Sequence, residues 1–474
     1  MFWKKDPNKK YKKIAVKLDQ TGKGFCTAKW NHVSIHLHTG DNHSCYHPSM
    51  HKVSLEELAE NPSALHNSKY KKLQRKAMLE GERPPECQYC WNLEDCGNLS
   101  DRHFRSAEFE EIEKGTTEKI ASMPWDADVA PKYMEVNFGN ECQMKCSYCT
   151  PSISSAWENE FNKHGDYPLH QVVNRRQYHA NNKDRKNWIY KEKDNPYIEA
   201  FWKWFPTVYK ELHTFRVTGG EPLLSSNVFK VLDYIDANPH KDLEFAINSN
   251  LCVPKRNLNK FIDKVTTLTQ ERKLDRLQVF TSIDTWGKQA EYIRDPMDIN
   301  LWENNLDHLM NVVPAAQCGL MITVNFMSVH RFKDLLVKIL EWKHKYNTRF
   351  NNRFTIDTPY LLEPPHLSLQ ILDDEHLDTM YDCLKFMEDN KNNLDCRYFN
   401  DTDITKWKRV IDWAEQNRFK DQELINNRGD FCLFVNEYDK RRGTNFLRTF
   451  PELTVFYNKC ASYVDLPPAE ISLK

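Results

Sequence analysis

The chain has 474 residues, enough for two or three domains and a sizeable core, and its formal net charge is −1. This near-neutral charge gives the protein no strong electrostatic attraction to nucleic acid or to a membrane surface. No stretch of the sequence approaches the ~18 consecutive apolar residues that a membrane-spanning helix needs. The basic N-terminus, MFWKKDPNKKYKK, lacks the apolar stretch of a signal peptide, so we expect a cytoplasmic protein whose fourteen cysteines are metal ligands or buried thiols.

Residues 20–100 form a cysteine- and histidine-rich module that is predicted to begin with a β-hairpin. Polar and apolar side chains alternate from Trp30 to His38, and Gly40-Asp41-Asn42 is predicted to make the turn. Most histidines here are expected to be surface or hairpin residues, although any of them is a possible ligand: His32, His36, His38, His43 and His47.

Five cysteines in this module suggest a metal site. A hairpin brings Cys26 and Cys45 together, and the knuckle Cys87-x2-Cys90 can complete a four-thiolate site, with Cys96 as a rival for one place. Both zinc and an iron–sulfur cluster accept four thiolates, so the residues alone leave the metal open.

Residues 130–390 alternate short apolar runs with amphipathic stretches, the pattern of βα units around a parallel sheet. Two helices show the period well, one with Val228, Val231, Leu232 and Ile235 on one face, the other with Leu335, Leu336, Ile339 and Leu340. The six predicted strands are Tyr133–Phe138, Thr214–Thr218, Leu243–Asn248, Leu277–Ile283, Leu320–Phe326 and Arg353–Thr358.

The first of these strands leads into a loop with three closely spaced thiols. Cys142, Cys146 and Cys149 have the spacing Cys-x3-Cys-x2-Cys, with the aromatic residue Tyr148 before the last thiol. Soft thiolates suit an iron–sulfur cluster, and a missing fourth cysteine leaves one iron open for chemistry. Zinc binding, or three unrelated buried thiols, is the alternative.

Polar motifs follow the next three strands. The second strand runs into Gly219-Gly220-Glu221, where two glycines allow close backbone approach to a ligand and the glutamate offers an anionic acceptor. The third ends in a polar tip, Asn248-Ser249-Asn250. On the fourth, Ser282 and Asp284 share one face, and buried polar side chains there need partners such as a ribose diol.

Two regions lie outside this repeating pattern. An insertion at residues 158–199 is polar, is basic around Arg175–Lys193, and contains Tyr178, Trp188, Tyr190 and Tyr197; it is expected to be a solvated surface, with a lid or a polymer-binding surface as the alternative. Residues 400–474 are predicted to form a helical extension that closes the open side of the barrel.

The cysteine loop together with TGGEP at 218–222 and EYIR at 291–294 resembles the radical S-adenosylmethionine (radical SAM) superfamily. The resemblance implies an α/β fold with a partial (β/α)6 TIM-like barrel. It also implies a 4Fe-4S cluster on Cys142, Cys146 and Cys149 whose open iron chelates S-adenosylmethionine. Reductive cleavage then gives a 5′-deoxyadenosyl radical that abstracts hydrogen from a substrate.

The same resemblance implies roles for the polar motifs. The Gly219-Gly220-Glu221 segment receives the methionine amino group, Asn248 stands at the Thr-Asn-Gly position, and Arg294 pairs with the methionine carboxylate. Tyr148, Ser282 and Asp284 complete the predicted cofactor-binding set.

The module at residues 20–100 resembles the SPASM and twitch modules that carry auxiliary iron–sulfur clusters. Here it precedes the barrel, and Ser100 stands where a full SPASM set has another cysteine, so one auxiliary cluster on Cys26, Cys45, Cys87 and Cys90 is expected.

The resemblance also implies an electron donor such as a flavodoxin or ferredoxin. A peptide or protein is the expected substrate by analogy with such families. A nucleic acid or small metabolite is the alternative, and a zinc-stabilised binding protein without catalysis is the competing hypothesis.

Overall fold

The computed structural model describes residues 8–170 and 189–468. In these two ranges nine strands form one sheet, in the order β3-β2-β1-β4-β5-β6-β7-β8-β9. β1 and β4 to β9 run parallel, whereas β2 and β3 are antiparallel additions at one edge. The strands are β1 (His32–His36), β2 (Asp41–His43), β3 (His51–Lys52), β4 (Tyr133–Asn137), β5 (Thr214–Thr218), β6 (Glu244–Ser249), β7 (Arg276–Ser282), β8 (Ala316–Met321) and β9 (Phe354–Asp357).

Helices connect and flank these strands. Those before β5 are α1 (Lys9–Thr21), α2 (Ala28–Asn31), α3 (Leu55–Glu60), α4 (Ala64–Asn67), α5 (Lys69–Leu79), α6 (Gln88–Asp95), α7 (Asp101–Ile112), α8 (Thr116–Ala121), α9 (Ser155–His164) and α10 (Pro196–Val208). Those after it are α11 (Ser226–Ala237), α12 (Lys255–Gln270), α13 (Lys288–Ile293), α14 (Ile299–Val312), α15 (Phe332–Tyr346), α16 (Asp374–Asp389), α17 (Asp401–Gln416), α18 (Asp421–Arg442), α19 (Phe446–Thr449) and α20 (Thr454–Ala461). Short 3-10 turns occupy Pro85–Cys87, Tyr209–Glu211, Pro222–Leu224, Phe326–Ser328, Pro365–Leu367, Leu369–Ile371, Pro451–Leu453 and Ser462–Val464.

All six strands predicted from the sequence are present, and five of them begin and end within one residue of the prediction. β8 is the exception, because it runs over Ala316–Met321 rather than Leu320–Phe326. Its Gly319 lies against the ring of Phe280, where an added Cβ would come within 2.6 Å of the ring. A glycine that lets two strands approach also weakens the β pattern, which is why the prediction began too late.

The N-terminal hairpin is confirmed, with Ser34 opposite His43, but its position differs in two ways. Asp41 already belongs to β2, so the turn precedes it and ends at Gly40, whose φ is +76°. Trp30 lies in α2 rather than in the strand. In addition, β1 pairs in parallel with β4, so the cysteine-rich module continues the main sheet.

The sheet has two chemically different faces. One face is apolar and is covered by helices such as α12, α14 and α15, and its buried residues include Val33, Val136, Val217, Ile247, Val279 and Leu320. The opposite face, called the polar face below, carries two rows of residues that are paired across neighbouring strands. The first row is Ser34, Glu135, Arg216, Ala246, Gln278 and Gln317, and the second begins with His36, Asn137 and Thr218. Mixed α/β architecture with a mostly parallel sheet is therefore confirmed, and closure into a six-unit barrel remains a prediction.

The two predicted helices appear as α11 and α15. Ser225 caps α11 by accepting from the Asn227 N–H, and the predicted apolar face of that helix is fully buried. The C-terminal region is helical from Asp401 to Ala461, as expected, and α18 packs beside the cysteine loop. Within the described ranges, no helix has the length and apolar character needed to cross a bilayer.

Candidate active site

The cysteine loop follows β4 at the carboxyl-terminal edge of the parallel strands, the edge at which α/β folds place their ligands. Its backbone is anchored on the end of α13 and the residues that follow, where Ser147 N–H donates to Ile293 O at 2.7 Å and Lys145 N–H donates to Asp295 O at 2.6 Å. The indole of Trp157 donates to Cys146 O at 2.8 Å. The loop is therefore held in place by neighbouring elements.

The three thiols of this loop are half-buried. Burial raises the pKa of Cys142, and the neighbouring Cys146 raises it further. The same two causes raise the pKa of Cys149 to about 12. Thiols that disfavour each other's ionisation are the kind that a bound metal stabilises, because the metal supplies the missing positive charge. Thiolate is the donor type that iron–sulfur clusters prefer, so the residue types suit a cluster, although the described side chains are not grouped as single-ion ligands.

The predicted glycine turn lies directly against the cysteine loop. A Cβ on Gly220 would come within 2.4 Å of Glu141 O and 2.8 Å of Ile153 O. Gly219 has a φ of +125°, and a Cβ there would meet the side chain of Asn137 at 2.4 Å. Both positions therefore require glycine: Gly220 approaches the backbone of the cysteine loop, and Gly219 approaches the Asn137 side chain at the end of β4.

Glu221 connects this turn with the end of β6. Its buried carboxylate, 2 % exposed, accepts from Leu223 N–H at 3.0 Å, Ser249 Oγ at 2.9 Å and Asn250 N–H at 2.7 Å. Burial raises the pKa of Glu221 to about 7, against the opposing effect of these donors. The Glu221 carboxylate thus connects the ends of β5 and β6, and its role as an acceptor for an ammonium group stays a prediction.

Arg294, Asp284 and Tyr148 form one buried network. Arg294 Nη2 lies 2.8 Å from Asp284 Oδ1 and 2.5 Å from the Tyr148 hydroxyl, which donates to Asp284 Oδ2 at 2.8 Å. Thr323 N–H donates to the same aspartate at 3.1 Å. Three residues predicted separately as cofactor ligands are therefore brought together and bound to each other.

The remaining predicted cofactor residues lie on the polar face or at its edge. Asn248 accepts two hydrogen bonds from Arg216, at 2.9 and 3.1 Å, and Ser282 ends β7 half-buried. Asn250, the last residue of the predicted polar tip, has its amide nitrogen 4.0 Å from Cys142 Sγ and sits one residue past the end of β6.

Glu135 and Arg216 were also missed. They face each other across β4 and β5, with Arg216 Nε 3.7 Å from Glu135 Oε2 and the guanidinium 4.4 Å from the Phe280 ring centroid. Burial raises the pKa of Glu135. The signal was their spacing, because each residue stands two positions before the polar end of its strand, Asn137 and Thr218.

The four cysteines predicted to form the second metal site line a single small cavity, called the four-cysteine cavity below: Cys26, Cys45, Cys87 and Cys90. Burial raises the pKa of Cys45 to about 12. Lys29 and Glu86 form a buried ion pair beside them. Cys96, the rival ligand, is exposed and is absent from the cavity lining.

The histidines of this module take different positions. His47 lines the four-cysteine cavity and pairs with Asp101 at 2.5 Å. His36 and His43 face each other with Nε2 atoms 3.3 Å apart, and His43 Nδ1 is bonded to Cys45 O. In residues 8–170 and 189–468, no group of three or more His, Cys, Asp or Glu side chains is arranged to hold a metal ion.

The other cysteines were expected to be ordinary buried thiols. Cys318, Cys383, Cys432 and Cys460 are buried, whereas Cys252 and Cys396 are only half-buried. Tyr190 and Tyr197 of the insertion are described and contact each other with ring centroids 5.5 Å apart. Its Tyr178 and Trp188 lie outside the described residues.

No model of a known protein family and no curated protein matches the sequence. Among solved structures, the chain is similar to SuiB of Streptococcus suis bound to S-adenosylmethionine. The identity is 12 %, the match covers 75 % of this chain and 68 % of SuiB, and the TM-score is 0.34. A likeness at this level carries no argument about the present chain.

Proposed function

We propose that the protein is a radical SAM enzyme whose Cys142, Cys146 and Cys149 hold a 4Fe-4S cluster. The observation that carries the proposal is the three-thiol loop at the carboxyl-terminal edge of a parallel sheet, packed against Gly219 and Gly220. A cluster held by these three thiols would supply the electron for reductive cleavage of S-adenosylmethionine to methionine and a 5′-deoxyadenosyl radical, which would take a hydrogen atom from substrate.

The chain's own residues would position the cofactor. The ends of β5, β6 and β7 supply Glu221, Asn248 and Ser282 around the loop. Because Asp284 is already bound by Arg294 and Tyr148, we assign it to ordering the loop as well as to the ribose. The half-buried polar face below the loop is the proposed substrate surface, with Glu135 and Arg216 as its charged groups.

The four-cysteine cavity is the proposed site of one auxiliary iron–sulfur cluster. Four thiols line this one cavity, Cys90 buried and the other three half-buried, and either zinc or an iron–sulfur cluster suits four thiolates. A peptide or protein remains the proposed substrate, and a flavodoxin or ferredoxin the proposed electron donor.

The test is formation of 5′-deoxyadenosine by protein reconstituted without oxygen and supplied with a strong reductant and S-adenosylmethionine. Product from the parent protein is expected, and none from Cys142→Ala/Cys146→Ala/Cys149→Ala. The matched control removes three thiols elsewhere, Cys383→Ala/Cys396→Ala/Cys460→Ala, and should keep the activity.

Two results would reject the proposal. Equal 5′-deoxyadenosine from the parent and the loop variant would mean that these thiols do not hold the catalytic cluster. A colourless parent protein that binds zinc and no iron, even after reconstitution, would favour the zinc-stabilised binding protein instead.

A further inference from the structure

Arg294 contacts the cysteine loop as well as Asp284. Its Nη1 lies 3.8 Å from Cys146 Sγ, while its Nη2 binds the Tyr148 hydroxyl and Asp284 Oδ1. The side chain is 8 % exposed and that of Asp284 is wholly buried. A guanidinium is always charged, so a permanent positive charge is fixed next to one thiol of the loop.

The two ends of the guanidinium fork have different partners. Asp284 neutralises the Nη2 side, whereas Nη1 is directed at sulfur, with Cys146 as its partner. In a buried setting this charge acts strongly, because little solvent screens it. Hydrogen bonds to cluster sulfurs and local charge are established determinants of iron–sulfur reduction potential.

We propose that Arg294 is a positioning residue that raises the reduction potential of the cluster held by Cys142, Cys146 and Cys149. The inference rests on the proposed function. It differs from the role predicted from the sequence, because an Arg294 bound to Asp284, Tyr148 and Cys146 is committed to the cysteine loop and not to the methionine carboxylate.

The experiment is a redox titration of the reconstituted full chain followed by electron paramagnetic resonance, without S-adenosylmethionine. The signal that disappears in Cys142→Ala/Cys146→Ala/Cys149→Ala identifies the relevant cluster. Arg294→Gln removes the charge and should weaken electron acceptance about tenfold, a shift of about 59 mV to more negative potential for one electron. Arg294→Lys keeps the positive charge, so its equilibrium constant for electron acceptance should stay within threefold of that of the parent protein.

Arg428→Gln is the matched control. Arg428 is equally buried but donates to the carbonyls of Ile371 and Leu372, so its loss should leave the potential unchanged. The inference is overturned if the equilibrium constant for electron acceptance by Arg294→Gln is within twofold of that of the parent protein. It is also overturned if the potential of Arg294→Lys shifts as much as that of Arg294→Gln.

Asp284→Asn provides a second test with the opposite sign if Arg294→Gln does not retain iron. It keeps the arginine and removes the opposing negative charge, so the potential should become more positive. No shift, or a negative one, rejects the charge effect. A parent protein that binds no iron at these thiols overturns the proposed function as well, whereas a normal cluster with an unchanged potential in the variants overturns this inference alone.

Discussion

The contact between the glycine turn and the cysteine loop can be tested by adding one methyl group. In Gly220→Ala the new Cβ would lie 2.4 Å from Glu141 O and 2.8 Å from Ile153 O, both backbone atoms that have no rotamer to change. Overpacking of this kind costs about 1–3 kcal/mol. Separation of the two segments would also weaken the Glu221 N–H to Glu141 O bond, worth about 1 kcal/mol. The expected loss of unfolding free energy is therefore about 2–4 kcal/mol.

Urea denaturation of the metal-free protein is the assay, and Gly139→Ala is the matched control. Gly139 lies in the same loop, yet a Cβ there would have Glu192 Cγ as its nearest neighbour, at 3.8 Å. That substitution should change stability by less than about 1 kcal/mol. Equal stability of the Gly220→Ala and Gly139→Ala proteins would refute the close approach of the turn to the loop.

Three further predictions concern the ion pair of Arg442 with Glu160, the carboxyl group of Glu221 and the four-cysteine cavity. Arg442→Met removes the guanidinium from the buried carboxylate of Glu160, which keeps Lys145 and the Tyr167 hydroxyl, so urea denaturation should show a loss of about 1.5–3 kcal/mol, whereas exposed Lys440→Met should show almost none. Burial raises the pKa of Glu221 from 4.5 to about 7, so the folded protein holds a proton that the unfolded chain has lost between these pH values. The unfolding free energy of the parent relative to Glu221→Gln should therefore fall by about 3 kcal/mol as pH rises from 4.5 to 7. An increase in this free energy over the same pH range would contradict the raised pKa. Alanine at all four thiols of the four-cysteine cavity should lower the iron content of the reconstituted protein, whereas Cys96→Ala should not, and undiminished iron would refute the auxiliary site.

The strands and helices were largely predictable because their apolar periodicity reflects which face is buried. Thr214–Thr218 was predicted to the residue, since Phe215 and Val217 lie on the covered face and a glycine pair ends the strand. The pairing of β1 with β4 was not predictable, because nearly a hundred residues, including β2, β3 and the helices α3 to α8, separate the two strands and no local pattern specifies which strand an edge will meet.

The sequence indicated which residues belong to the candidate site better than it indicated which of them contact each other. Cys142 and Glu221 were found through spacing and turn chemistry, which are local features of a sequence. The pairing of Arg294 with Asp284 depends on α13 returning the chain to the end of β7, and that is a tertiary property. Glu135 was overlooked because a polar residue within a strand is equally typical of a solvated face.

The two thiol sites lie at opposite ends of the polar face. Cys26 precedes β1, and β2 runs back along β1 so that Cys45 also lies at the amino-terminal edge of the parallel strands, whereas the cysteine loop follows β4 at the other edge. A five-residue strand separates the two edges by roughly 17 Å. The Tyr46 hydroxyl, next to Cys45, donates at 2.8 Å to Tyr133 at the start of β4. Because β1 pairs with β4, the cysteine-rich hairpin is part of the main sheet, and in the proposed function a substrate over Glu135 and Arg216 would lie between both thiol sites.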